Sequence, residues 1–173
     1  MNLAKKNVFR GVAMVLAALM CVSAGYSQNQ NAAILSGAAL TKVVPTSFYF
    51  AGQSAQTQIR NAAAAQFGKD RFFVAGMVDT SGYSTEISGK YEGFFIIDFP
   101  VNVGDKRLDT GAYGFGFSAD NQIHIFDLSA KEILSAATKN DSNLKRPRPL
   151  MMTADGKSVR FYKGKSYVVV SPA

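Results

Sequence analysis

Leu108-Asp-Thr-Gly-Ala-Tyr-Gly-Phe-Gly-Phe-Ser118 alternates bulky and minimal side chains. Side chains on a strand point to opposite faces in turn. Tyr113, Phe115 and Phe117 therefore form one aromatic face, and Ala112, Gly114 and Gly116 a nearly bare one. Bare backbone admits the close approach of another part of the chain, or sharp coiling of the sheet. The turn Ala119-Asp-Asn121 follows, and Gln122-Ile-His-Ile-Phe-Asp-Leu128 returns as the next strand, so the stretch reads as a β-hairpin.

The same reading extends outward in both directions. Thr46 to Ala51 is a first strand ended by Gly52, and the alternation from Thr57 to Phe67 favours a strand over a helix despite its alanines. Phe72 to Thr80 and Gly93 to Phe99 are apolar on both faces, as in a sandwich with an extra layer or the wall of a barrel. Between them lies a long polar loop, Ser81 to Lys90. Toward the C-terminus, Leu150 to Thr153, Ser158 to Tyr162 and Ser166 to Ser171 are short strands separated by Asp155-Gly156 and Lys163-Gly-Lys165. One helix is expected: Ser129-Ala-Lys-Glu132 matches a capping box, Leu128 and Ile133 the hydrophobic staple, and Asn140 a stop. The fold class is all-β, an antiparallel barrel or barrel-like sandwich of about eight or nine strands with one short helix.

Residues 1–27 read as a secretory signal peptide: Lys5, Lys6 and Arg10, then an uncharged apolar run from Val12 to Val22, then small and polar residues. Cys21, the one cysteine, falls inside the apolar run, so the exported domain has neither disulfide nor thiolate metal site. Residues 28–45 read as a flexible lead-in, and 46–173 as the β-rich domain. Removing the signal leaves 16 basic against 12 acidic residues, a net charge of +4 instead of +7. From Ser129 onward the balance is 9 basic to 3 acidic, so the positive charge is concentrated late in the chain. The expected location is secreted or periplasmic, with no membrane span once the signal is gone.

The candidate functional residues form three groups. Tyr113, Phe115, Phe117 and His124 could line a ligand site if a barrel interior were only partly filled. Arg146, Arg148, Arg160 and Lys163 form a basic surface for an anionic envelope component, with nucleic acid disfavoured for an exported protein. His124, the single histidine, lacks a second histidine for zinc and a Gly-x-Ser-x-Gly elbow. Asp79, Asp98 and Asp127 each end an apolar run, but alternate strand ends of an antiparallel sheet do not meet. No metal, cofactor or catalytic residue is assigned.

Val103 to Phe117 resembles a hairpin of small exported bacterial β-rich domains of unknown function, through Leu108, Gly111, Tyr113 and Phe115 in the form Leu-x-x-Gly-x-Tyr-x-aromatic. Lys145-Arg-Pro-Arg-Pro-Leu150 and the Tyr162–Tyr167 hairpin share in that resemblance. It implies architecture and no activity. The leading expectation is an exported, non-enzymatic binding or structural module of the bacterial cell envelope. The alternatives are a carrier of a small apolar ligand in a barrel cavity, and an envelope hydrolase using His124 with an aspartate such as Asp127 or Asp98.

Overall fold

A computed structural model describes residues 31–173. The signal reading of 1–27, Cys21 included, lies outside the described residues. Fourteen strands and two short helices follow in the order β1 (Ala33–Ile34), α1 (Gly37–Val43), β2 (Ser47–Phe50), β3 (Gln53–Gln66), β4 (Phe72–Val78), α2 (Thr85–Ser88), β5 (Gly93–Ile97), β6 (Val101–Val103), β7 (Lys106–Leu108), β8 (Gly111–Phe117), β9 (Gln122–Phe126), β10 (Glu132–Ala137), β11 (Lys139–Asn140), β12 (Met151–Asp155), β13 (Ser158–Lys163) and β14 (Ser166–Pro172).

The strands form two antiparallel sheets. The larger has 8 strands in the order β1-β3-β4-β5-β8-β9-β10, with β2 paired to β3. The smaller has 6 in the order β12-β13-β14-β6-β7, with β11 paired to β14. No hydrogen-bonded ladder joins the edges of one sheet to those of the other among the described residues, so the expected barrel is corrected to two separate sheets. The chain passes between them three times, through Pro100, back through Asp109 and Thr110, and again through Thr138, and breaks in the ladder fall at these crossings. They also divide the chain into more, shorter strands than expected.

Alternation decides the layering. Phe73 and Ala75 on β4, Phe95 and Ile97 on β5, Phe115 on β8, and Ile123 and Ile125 on β9 share one cluster with Val103, Val159, Phe161, Val168 and Val170 of the smaller sheet. Phe73, Phe95, Phe115 and Phe161 are fully buried, and Phe161 lies 5.3–5.7 Å from the other three rings. The space between the sheets is filled by rings, which opposes the carrier reading.

A second cluster lies on the outer face of the larger sheet. Ala64, Val74, Val78, Phe94 and Phe126 meet Phe48, Phe50, Ala55 and Tyr91, with Leu40, Val43 and Ile87 of the two helices packed against them. Strand β3 makes this possible: its first part pairs with β2, its last with β4, and the register shifts between Thr57 and Ala62. The β2–β3 hairpin thus folds across its own sheet. Phe72–Val78 and Gly93–Ile97 are apolar on both faces because both faces are covered.

The bare face of β8 is part of this outer layer. A Cβ at Gly114 would lie 2.3 Å from the Phe50 ring, and one at Gly116 would lie 1.9 Å from the backbone oxygen of Lys90. Phe50 and the segment after α2 therefore rest on the strand at distances only glycine permits.

Two expectations about helices are corrected. Residues 129–140 are not helical. Asp127 Oδ1 accepts the amides of Ser129 (2.9 Å) and Lys131 (3.0 Å) and the Ser129 hydroxyl (2.6 Å), and Ala130 takes a φ of 69°. This turn sends β10 back along β9, where Leu134 and Ala136 join the inter-sheet core. An aspartate-centred turn wins over the capping box because it satisfies the same amides and also lets apolar side chains pair across the sheet. The described part of the expected lead-in is regular: the amide of Ala32 donates to Gly156 O and that of Leu35 to Ala64 O, and α1 follows. A terminus tied down by such bonds is ordered.

Candidate functional site

The β8–β9 hairpin and β10 bring three polar side chains together on the outer face of the larger sheet. Ser118 follows β8 and closes the turn, its amide donating to Gln122 O at 2.9 Å. His124 sits on β9 opposite Gly116, facing away from the inter-sheet core into which Ile123 and Ile125 point. Glu132 opens β10 opposite Phe126, at the start of a register shift that leaves Ile133 unpaired. Ser118 Oγ is 2.9 Å from His124 Nε2, and Glu132 Oε2 is 3.1 Å from His124 Nδ1. The carboxylate oxygen lies off the line of the Nδ1–H bond, so this second contact is a close approach and not an aligned hydrogen bond.

The order is hydroxyl, imidazole, carboxylate, the relay of a nucleophile, its base and the group that orients the base. A hydroxyl that donates to Nε2 requires the imidazole proton on Nδ1, facing the carboxylate. Ser118 is solvent-exposed, whereas the His124 side chain is 24% exposed and that of Glu132 46%. A reacting carbonyl can therefore reach the hydroxyl, while the base is partly shielded from water.

A cleft of about 180 Å3 opens over this group, lined by Gly89, Lys90, Gly116, Phe126 and the three residues themselves. Its opposite wall is the end of α2. Ser84 Oγ accepts the amide of Ile87 at the start of that turn, and Glu92 straps its end to β8: its amide donates to Phe115 O (2.8 Å) and its Oε2 accepts the Phe117 amide (2.9 Å). Glu92 Oε1 also holds the Lys163 ammonium. The amides of Phe117 and Ser118, the nearest to the nucleophile, are thus already engaged. Lys90 is the cation in the cleft, 3.6 Å from Glu86 and 6.0 Å from the centre of the Phe126 ring.

Asp120 is a second neighbour of Ser118. Its Oδ1 contacts Ser118 Oγ and its Oδ2 accepts from Gln122 Nε2 at 3.1 Å. The Ser118 hydroxyl holds the Asp120 carboxyl below the usual carboxylate range. Serine carries one proton, so Asp120 and His124 compete for it.

The residues singled out in the sequence are scattered by comparison. Phe115 is enclosed between the sheets; Tyr113 is half-buried, its hydroxyl donating to Asp109 O at 2.9 Å; Phe117 packs 5.9 Å from Phe161. Arg160 is paired with Asp155 at 2.9 Å, with its guanidinium over the Tyr167 ring, and Lys163 is held by Glu92. Arg146 and Arg148 are exposed on the connector. Asp98 accepts the amide of Phe72 (2.7 Å), Asp79 that of Ser81 (3.0 Å), and Asp127 serves its turn. Neither Asp98 nor Asp127 is the partner of His124; that partner is Glu132. Among the described residues no cluster of three or more such side chains could hold a metal, and no helix is long and apolar enough to cross a membrane.

Of the triad-like group, the sequence marked only His124. Ser118 was within reach of the same argument, since a tight turn at 119–121 places it across the hairpin from His124. Glu132 was hidden by its fit to a helix cap. The Ser118–His124–Glu132 arrangement overturns the expectation of a purely non-enzymatic module. Comparison with family models, with curated proteins and with solved structures finds no match for this chain.

Proposed function

We propose that this protein is a serine hydrolase that transfers an acyl group to water. The observation that carries the reading is Ser118 Oγ 2.9 Å from His124 Nε2, with Glu132 3.1 Å from the other ring nitrogen. As Ser118 Oγ adds to a substrate carbonyl carbon, its proton passes to His124 Nε2 and the carbonyl electron pair moves onto oxygen. Collapse re-forms the carbonyl and expels the leaving group, which takes the proton from Nε2. Water then attacks the Ser118 ester, again with His124 as base, and releases the acid and free serine. Glu132 offsets the charge of the imidazolium. With the amides of Phe117 and Ser118 engaged, stabilisation of the oxyanion falls to the Lys90 ammonium.

The test is labelling with a fluorophosphonate, followed by peptide mass spectrometry, together with turnover of p-nitrophenyl acetate. The adduct is expected on Ser118, and Ser118→Ala is expected to abolish both signals. An adduct elsewhere, or turnover undiminished in Ser118→Ala and His124→Asn, refutes the reading.

We also infer that the chain acts outside the cytoplasm, on the strength of the charged, apolar and small-residue order of residues 1–27. The intact mass of protein recovered from the extracytoplasmic fraction of a bacterial host tests this. Recovery of the protein only from the cytoplasmic fraction, at the uncleaved mass of 18.6 kDa, would count against it.

A further inference from the structure

Two concavities meet at Ser118. The narrow one, about 180 Å3, contains His124 and Glu132. The wide one, about 430 Å3, runs from Ser118 along Phe117 to Pro149, Lys163, Gly164 and Ser166. Its far wall is the β13–β14 turn of the smaller sheet. Phe117 and Ser118 are the lining residues the two have in common. Ser118 therefore stands on the ridge between a small compartment with the base in it and a larger one without.

That division determines which part of a substrate goes where. His124 must hand its proton to the departing group, so the leaving group has to lie on the imidazole side. The acyl carbon is bonded to Ser118 Oγ, and its substituent has to extend away from the imidazole, into the wide groove. Pockets that hold drug-sized ligands run from roughly 300 to 1,000 Å3; the wide groove is within that range and the narrow cleft is below it. Phe117 lines the wide groove beside Ser118, and Pro149, Gly164 and Ser166 line it on the side of the β13–β14 turn, where the Gly164 amide donates to Arg148 O at 3.0 Å. Glu92 fixes the spacing, because one carboxylate holds both the Phe117 amide and the Lys163 ammonium.

We propose that the substrates are esters with a compact alcohol and a bulky acyl group that extends over Phe117 into the wide groove. This rests on the hydrolase reading, and two constitutional isomers separate the two claims. Methyl 4-phenylbutanoate carries its bulk on the acyl side, and 3-phenylpropyl acetate carries the same bulk on the alcohol side. For the wild-type protein kcat/KM is expected to be about tenfold or more higher for the methyl ester, the scale on which an apolar pocket discriminates. Ser166→Trp, which fills the wide groove, should lower kcat/KM for the methyl ester about tenfold more than for the acetate. Equal rates for the isomers, a preference for the acetate, or an unchanged ratio in folded Ser166→Trp overturns the substrate proposal while leaving a Ser118-dependent hydrolase in place. Absence of any turnover sensitive to Ser118→Ala rejects both. The wild-type isomer ratio decides the matter even if Ser166→Trp does not fold.

Discussion

Replacing Gly114 by alanine asks whether the bare face of β8 is a packing surface. In a strand interior, glycine to alanine ordinarily stabilises by about 0.5–1 kcal/mol, because alanine has less backbone freedom to lose. Here the added methyl would lie 2.3 Å from Cε2 and 2.8 Å from Cζ of Phe50. Phe50 is fully buried, its ring stacked 3.9 Å from that of Tyr91 and flanked by Tyr83 and Phe126, both at 6.4 Å. Overpacking of this kind costs about 1–3 kcal/mol, more than the backbone gain. The expected net loss is about 1–2 kcal/mol, a fall in Tm of roughly 3–8 °C for a domain of this size. Thermal unfolding followed by circular dichroism measures it. The chain has no tryptophan, so tyrosine fluorescence is the second probe. Phe50→Leu in the Gly114→Ala background should restore part of the loss, giving a coupling between the two sites that a double-mutant cycle isolates. An unchanged or raised Tm in Gly114→Ala would show that the ring does not lie against the strand.

Further predictions concern the site and its surroundings. Lys90→Gln should lower kcat about a hundredfold with little change in KM, the effect of losing one oxyanion donor; equal loss in KM would make Lys90 a binding group instead. Asp120→Asn should raise kcat about fivefold, the worth of one competing hydrogen bond, and a fall would show that Asp120 helps to position Ser118. Tyr91 is fully buried, its hydroxyl near that of Tyr83 but without a well-formed hydrogen bond among the described residues, and burial holds its pKa well above the usual tyrosine range. Tyr91→Phe should therefore be neutral or stabilising by about 1 kcal/mol in urea unfolding, and clear destabilisation would reveal a partner. Hydrogen bonds from the Ser129 side chain and then the Lys131 amide hold the Asp127 carboxyl below its usual value. Its contribution is present above the unfolded-state pKa of about 3.9 and is lost as pH falls through the lower folded value. Asp127→Asn should flatten that acid limb of the stability profile, and an unaltered limb would count against the turn's dependence on the carboxylate.

The hairpin of β8 and β9 is legible in the amino-acid order because its alternation is strong and its turn residues are unambiguous. The two-sided apolar runs on β4 and β5 announce covering layers, although sandwich and barrel share that signature until edge pairing is known. Strand β10 is not legible. Ser129-Ala-Lys-Glu132 satisfies a local rule for helices, and only the neighbouring β9, already in place, makes Asp127 a turn residue instead. The site is hidden for the same reason. Ser118 is an ordinary hairpin serine until β10 sets Glu132 beside His124 and the backbone after α2 lies on Gly116.

The triad-like group and the wide groove stand at different distances along the chain. Ser118, His124 and Glu132 come from three successive antiparallel strands and meet through two tight turns. Lys163, Gly164 and Ser166 come from the β13–β14 hairpin, which reaches Ser118 only when the smaller sheet docks. During synthesis, which proceeds from the N-terminus, Ser118, His124 and Glu132 are all made before the β13–β14 hairpin. In the proposed hydrolase, the groups that react and the groups that line the wide groove are thus made at separate moments.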